Sequence, residues 1–439
     1  MAVTVGLLIT SLVGLVGLSV DVGDWYATRR TMQSAVDAAA LGGALELYAG
    51  GTSAQATAAA TTDAGLNETG FAAGATLTVT PNVSEQTVTA TLTKSADLLF
   101  SGLFLSSAPT ISVTATAGTV HGGSAMCLLI TSPTASNVVL ISGSSSIQAS
   151  GCGVVVNSTS ATGTSLSGNT FIYSKALCGP GGFSVSGSSE FVPAATACGA
   201  VSDPLAGLAI PATGSYSGTG TIASPANCDY VNFQTYGNNY YTYKDSSGTT
   251  HTNTSGNGST AFNMNPGVYC GGITFTATTN VVFKPGIYLL YNGGLNTSGS
   301  MVGTGTGVAF YLTGGSGTSS ICSTWGVNLT ASTNLTVTAP TSGAMAGISI
   351  YQDQSEPTGS IPETLSGNST INFTGVLYFG NQNVTVSGSS ENQSAGWTAM
   401  VAYTVNYNGY STLYLNSGYS GSSVPIPSGM ALPIVALTQ

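Results

Sequence analysis

The chain is short of charge. Asp, Glu, Lys and Arg make up 5% of its 439 residues, against roughly 25% in an ordinary soluble domain. Only six are Lys or Arg, and the formal net charge is −10. A clustered basic surface is therefore excluded, and with it nucleic acid and anionic headgroups as ligands. Histidine is scarce too, with only His121 and His251, and there is no C-x-x-C pair. A zinc site lacks its usual donors. From Pro285 to Gln439 there is no Lys, Arg or His. A polysaccharide lyase needs a base plus a cation or metal, and this stretch supplies neither. Its acids are Asp353, Glu356, Glu363 and Glu391. Asp353 and Glu356 are close in sequence, but read as a solvated loop before a glycosidase pair or a calcium site. No nucleophile elbow and no P-loop is present. The sequence thus predicts no catalytic residue, no cofactor and no metal.

What is there is apolar and neutral-polar. Hydrophobic residues reach 42%, with 20 Tyr and 59 Gly, too many apolar groups for a solvated coil. Seven cysteines point to an oxidising compartment. Pairing neighbours gives Cys127–Cys152, Cys178–Cys198 and Cys228–Cys270 and leaves Cys322 over, although spacing alone does not fix connectivity.

The N-terminus opens with about twenty apolar residues, Met1 to Val20, long enough to span a bilayer or a filament core. It continues without proline into the small-residue stretch Gln33–Leu47. One continuous helix of that length extends about 70 Å. No basic leader precedes the run and no A-x-A-like site follows, so a standard signal peptide is not expected; a pilin-type leader cut just before Met1 fits better. Gly6, Gly14 and Gly17 leave room for close helix–helix packing.

Three alternating segments follow, 76–80, 87–92 and 111–116, and predict half-buried strands. Leu98, Leu99, Phe100, Leu103 and Phe104 suggest a short amphipathic helix between the last two. From about Gly122 short strands alternate with Ser-Gly turns at 142, 167, 186, 366 and 387, and Pro266-Gly-Val-Tyr recurs as Pro285-Gly-Ile-Tyr. Recurring coils of this kind predict a β-solenoid, with a β-sandwich as alternative. Asp203–Pro211, bounded by prolines, reads as an ordered linker. The expected fold is an α+β pilin-like part, a long apolar helix plus small sheet, followed by a large all-β region. Its divisions are 1–48 (helix and stalk), 49–120 (small α+β domain), 121–202 (first β-rich part), 203–211 (linker) and 212–439 (second β-rich part).

The stretch Val20-Asp-Val-Gly-Asp-Trp-Tyr-Ala-Thr-Arg-Arg30, with Ala35-Val-Asp-Ala-Ala-Ala-Leu41 behind it, resembles the N-terminal signature of TadG-like proteins of tight-adherence (Flp) pilus systems. Asp203-Pro-Leu-Ala-Gly-Leu208, the P-G-x-Y repeat and Gly375–Phe379 are similar to the C-terminal half of long members. Val5 stands near the point where mature type IV pilins commonly carry a glutamate. The resemblance implies a non-enzymatic, pilin-like subunit of a bacterial surface filament. It would be membrane-anchored before assembly and then extracellular. Its partners would be further copies or other pilus subunits through the helix, with host glycans as further ligands. The alternative is an envelope-anchored carbohydrate-binding or carbohydrate-processing β-solenoid.

Overall fold

The structure is a computed structural model. It describes all residues except Met1, 68–73, 104, 223, 225, 238–239, 255–260, 315–325, 331, 367–369, 389–390, 393–396, 418–421 and 439. For 2–15, 119–124, 391–392, 416–417 and 431–434 it describes the backbone only. The chain divides into two compact units, residues 1–123 with 433–439, and residues 124–432.

The first unit holds two helices, α1 (Ala2–Tyr48) and α2 (Ser53–Asn67), and the strands β1 (Ala75–Asn82), β2 (Thr87–Ser95) and the first part of β3 (Thr110–Ile130). Both strand pairings, β1 with β2 and β2 with β3, are antiparallel. Alternation does what it should here. Val88, Ala90, Leu92, Val113, Ala115 and Ala117 are buried against the helices. On the other face Thr89 bonds Thr116, and Thr91 bonds Thr114, each at 3.0 Å. Ala35, Ala39 and Ala44 of α1 share this core with Ala56, Ala60 and Ala64 of α2. The small residues of α1 therefore serve close packing inside one chain. The short helix expected around residues 96–104 is a single 3₁₀ turn, Ser101–Leu103.

The second unit is parallel β-structure. Gly267–Phe275 pairs with Gly286–Tyr291, and the ladder continues through Val308–Thr313 and Ile348–Gln352 to Thr370–Val386. It returns through Pro362–Leu365, Val327–Leu329 and Leu295–Thr297 to Gly267–Phe275. Eight strands thus close into a parallel barrel. The long strands Gly267–Phe275 and Thr370–Val386 join the two runs by pairing along different stretches of their length: 267–270 with 288–291 and 273–275 with 295–297, and 376–378 with 348–351 and 383–386 with 362–365.

The expected fold class is corrected accordingly. The chain is not a long apolar helix plus sheet with a solenoid or sandwich behind it. Among the described residues α-helix is confined to two elements and β-strand is the dominant structure, with a closed parallel barrel. Among the described residues no helix is long and apolar enough to cross a membrane. Much of the expected span lies outside them, since side chains are described only from residue 16.

Register stacks like on like. Leu329, Leu365, Val386, Tyr407, Ile141 and Leu166 form one column, each opposite the next and each buried. Strands far apart in sequence meet midway: Met400 lies opposite Leu128, and Val405 opposite Val139. Segment 124–198 thus stacks beyond the eight barrel strands, on the far side of Trp397–Tyr407, and the chain returns to build the rest. Asp203–Pro211 lies on a row of tyrosines. Tyr351 Oη donates to the Leu205 carbonyl at 2.9 Å, Tyr311 Oη to that of Leu208 at 2.8 Å, and Tyr378 Oη to Asp203 at 2.7 Å. The rings of Tyr311, Tyr351 and Tyr378 stack at 5.1 and 4.3 Å. Three disulfides join Cys127 to Cys152, Cys178 to Cys198, and Cys228 to Cys270. Cys322 lies outside the described residues.

Candidate assembly interface

Gly17, Asp21 and Trp25 are four residues apart, so they share one face of α1. That face receives residues 97–101. Gly17 makes room for Phe100, whose Cβ lies 2.8 Å from where a Cβ at position 17 would stand. Asp21 is fully buried and accepts from Phe100 N at 2.9 Å, from Ser101 N at 2.6 Å, and from Ser101 Oγ. Trp25 Nε1 donates to the Asp97 carbonyl at 2.9 Å. Three residues of the signature-bearing segment thereby hold a loop.

Burial alone would raise the Asp21 pKa, but the bonds from Ser101 and Phe100 outweigh it and hold it below the usual carboxylate range. A lowered pKa means the clamp is complete at neutral pH and is lost as acid protonates the carboxylate. Asp21→Ala should therefore loosen the loop at neutral pH. Amide exchange at Phe100 and Ser101 is expected to quicken by about tenfold or more, with the barrel amides unchanged.

The clamped loop presents apolar side chains to solvent. Leu103 is 82% exposed and Leu99 66%. Val16, Leu18, Val20 and Tyr26 of α1 are exposed as well. Beside them an open groove of about 400 Å³ is lined by Trp25, Tyr26, Arg29, Pro109, Thr110, Ile111 and Ser112. Single exposed apolar residues are ordinary; here several lie on one stretch of α1 and on the loop it clamps. Sequence reading singled out the glycines but not Asp21 or Trp25. Their four-residue spacing was the available signal. Gly6 and Gly14 lie on the backbone of α1, and their surroundings fall outside the described residues.

The other sequence candidates separate. Asp353 accepts from Thr313 Oγ1 at 2.7 Å and from Ser355 N at 3.0 Å. Glu356 is buried, which corrects the solvated loop read there; burial first and Asp353 second raise its pKa. Among the described residues no cluster of three metal-ligating side chains occurs. Glu363 sits in the barrel core and accepts from the Val327 N–H, 36 residues away, at 2.5 Å. The aromatics near Tyr240–Tyr243 stack mainly on one another: Tyr241 lies 5.3 Å from Phe233 and 5.2 Å from Phe262, and Tyr243 lies 5.0 Å from His251.

No curated protein and no solved structure matches the chain. The segment that carries the clamp does have a match: residues 1–46 fit the family model described as "Putative Flp pilus-assembly TadE/G-like".

Proposed function

We propose that the chain is a structural, non-enzymatic subunit of a tight-adherence-type pilus, joined to other pilus components through α1 and its clamped loop. The observation that carries this is coincidence of place. The TadE/G-like match covers residues 1–46, and the exposed apolar side chains of Val16, Leu18, Val20 and Tyr26 fall within it. An apolar set of this kind is stabilised when a partner covers it, at roughly 25 cal/mol per Å² removed from water. The barrel would then be the displayed part of an envelope or surface component. Its disulfides and its neutral Ser, Thr and Asn surface suit an oxidising exterior.

The test is made in cells that assemble the pilus. Leu18→Glu with Leu103→Glu places charge on the face without touching Asp21 or Trp25. The variant should be exported with its three disulfides formed, yet its amount in purified filaments should fall about tenfold or more. Incorporation at the wild-type level would overturn the proposal.

A further inference from the structure

The stack of strands that continues on both sides of the barrel is finished at one end and unfinished at the other. Take the finished end first. The strand Tyr230–Gly237 pairs on its outer side with Tyr240–Lys244, which pairs in turn with Thr250–Asn253, both antiparallel. Rings of Tyr241, Tyr243 and Phe262 close over Phe233 there. Antiparallel strands of this sort end a parallel stack by using up its edge.

The other end has no such cover. Phe183–Gly187 pairs with Thr164–Gly168, Glu190–Val192 with Phe171–Gly179, and Thr196–Ala197 also with Phe171–Gly179. Among the described residues each has a strand partner on one side only. Gly182 N donates to Ser160 O and Thr164 N to Gly182 O, while Ser188 N donates to Gly168 O. Alternation along a parallel strand then turns the N–H groups of Phe183 and Val185 away from the barrel.

The core columns also run out here without an end. Ile141 is opposite Leu166, and Leu166 opposite Val185. Ile141 is 0% exposed and Leu166 2%, but Val185 is 52%. Val185 points where core residues point and has nothing above it. Phe183 and Phe191 continue two further columns and are only partly buried. The protections of this edge are short strands and Pro193 after Val192, not charge. From Phe183 to Cys198 the only charge is Glu190, and natural edge strands are commonly blunted by several charges or by a bulge. The end rung is instead held in place: Cys178–Cys198 ties its last strand to the rung below.

We propose that this end is a homotypic interface, in which two copies of the chain pair end to end through Phe183–Gly187 about a two-fold axis. The partner is a second copy for two reasons. The molecule already joins strands without chain continuity, because segment 124–198 stacks on strand Trp397–Tyr407, there in parallel; a strand that pairs with its own copy about a two-fold axis does so antiparallel. At the opposite end Tyr230–Gly237 is covered by Tyr240–Lys244 and, among the described residues, the three-residue Phe262–Met264 is paired on one side; the longest strand there thus has no free edge, which disfavours head-to-tail stacking, and like end meets like. An isologous contact of this type closes at two copies. Val185 of each copy then caps the other's core column, and the outward N–H groups gain acceptors.

The test uses the full chain. Amide exchange and sedimentation mass are followed from about 1 µM to about 100 µM, a range over which mass action shifts a moderate dimer. Exchange at 183–187 is expected to slow about tenfold with concentration while the mass rises toward twice 43.6 kDa. Val185→Glu puts a charge at an already exposed position, so it should fold with an unchanged melting temperature and lose both effects. Val302→Glu, an exposed control on the barrel's side, should keep both. Exchange at 183–187 that is independent of concentration in the wild-type chain overturns the proposal, whatever the mass does. So does a concentration dependence that survives Val185→Glu.

Discussion

Glu363→Gln is expected to raise the stability of the barrel at pH 8 and leave it nearly unchanged at pH 4. Glu363 is 1% exposed. It stands opposite Val384 in an inward column that continues through Val405 and Val139. Burial lifts its pKa to about 8, with the Val327 N–H pulling slightly the other way. In the unfolded chain the same group titrates near the ordinary glutamate value of about 4.3. Below that value both states hold the proton and nothing is lost. As pH rises the unfolded chain ionises first, and the folded chain loses stability until its own carboxyl ionises near 8. The full gap corresponds to an upper bound on the order of 5 kcal/mol. Gln keeps an acceptor for Val327 and never ionises, so it removes the penalty. Melting temperatures of both proteins from pH 4 to 9 check this. Parallel curves, with no divergence above pH 5, would show that Glu363 is not held neutral.

The second large effect is expected at a turn. Gly143, Gly168 and Gly187 occupy equivalent places in successive coils, all with positive φ. A Cβ at position 168 would lie 2.6 Å from the Gly143 carbonyl oxygen, and one at 187 would lie 2.6 Å from that of Gly168. The obstacle is backbone, which cannot swing aside as a side chain can. At φ +94° the Gly168 conformation is also one that L-residues rarely adopt. Gly168→Ala should thus cost about 2–4 kcal/mol. Gly65→Ala is the control: it sits on α2 with nothing within 4 Å of its added Cβ, and should be neutral or stabilise by about 0.5–1 kcal/mol. Denaturant midpoints of the two variants measure the contrast. Equal midpoints would mean that the coils can separate locally to admit a methyl group.

Some of this molecule could be read from residues alone, because the cause is local. Alternation places Val88, Ala90 and Leu92 on one side of β2 whatever the rest of the chain does. A Ser-Gly pair such as Ser142-Gly143 marks a turn because glycine tolerates positive φ. Six Lys and Arg in 439 residues argue against a clustered basic surface wherever they fall. The segment around Asp21 and Trp25 points to pilus assembly, and the family match lies over it.

Tertiary structure decided the rest, where the cause is distant. Ser145 and Ser411 bond across 266 residues, and no local pattern announces which strands will stack. Parallel pairing is non-local by nature, so barrel closure through the two long strands overturned the expected fold class. Ala35, Ala39 and Ala44 of α1 read equally well as a seam for a neighbour; α2 takes that place within the chain, while Phe100 lies on Gly17. Glu363 looks like any acid of a polar loop until Val327 and Val384 enclose it. Asp21 looks like a charge at the end of an apolar run until Phe100 and Ser101 fold down on it. In each case the residue type sets what chemistry is available, and the neighbours brought by the fold decide whether a carboxyl group is solvated, bonded or held neutral.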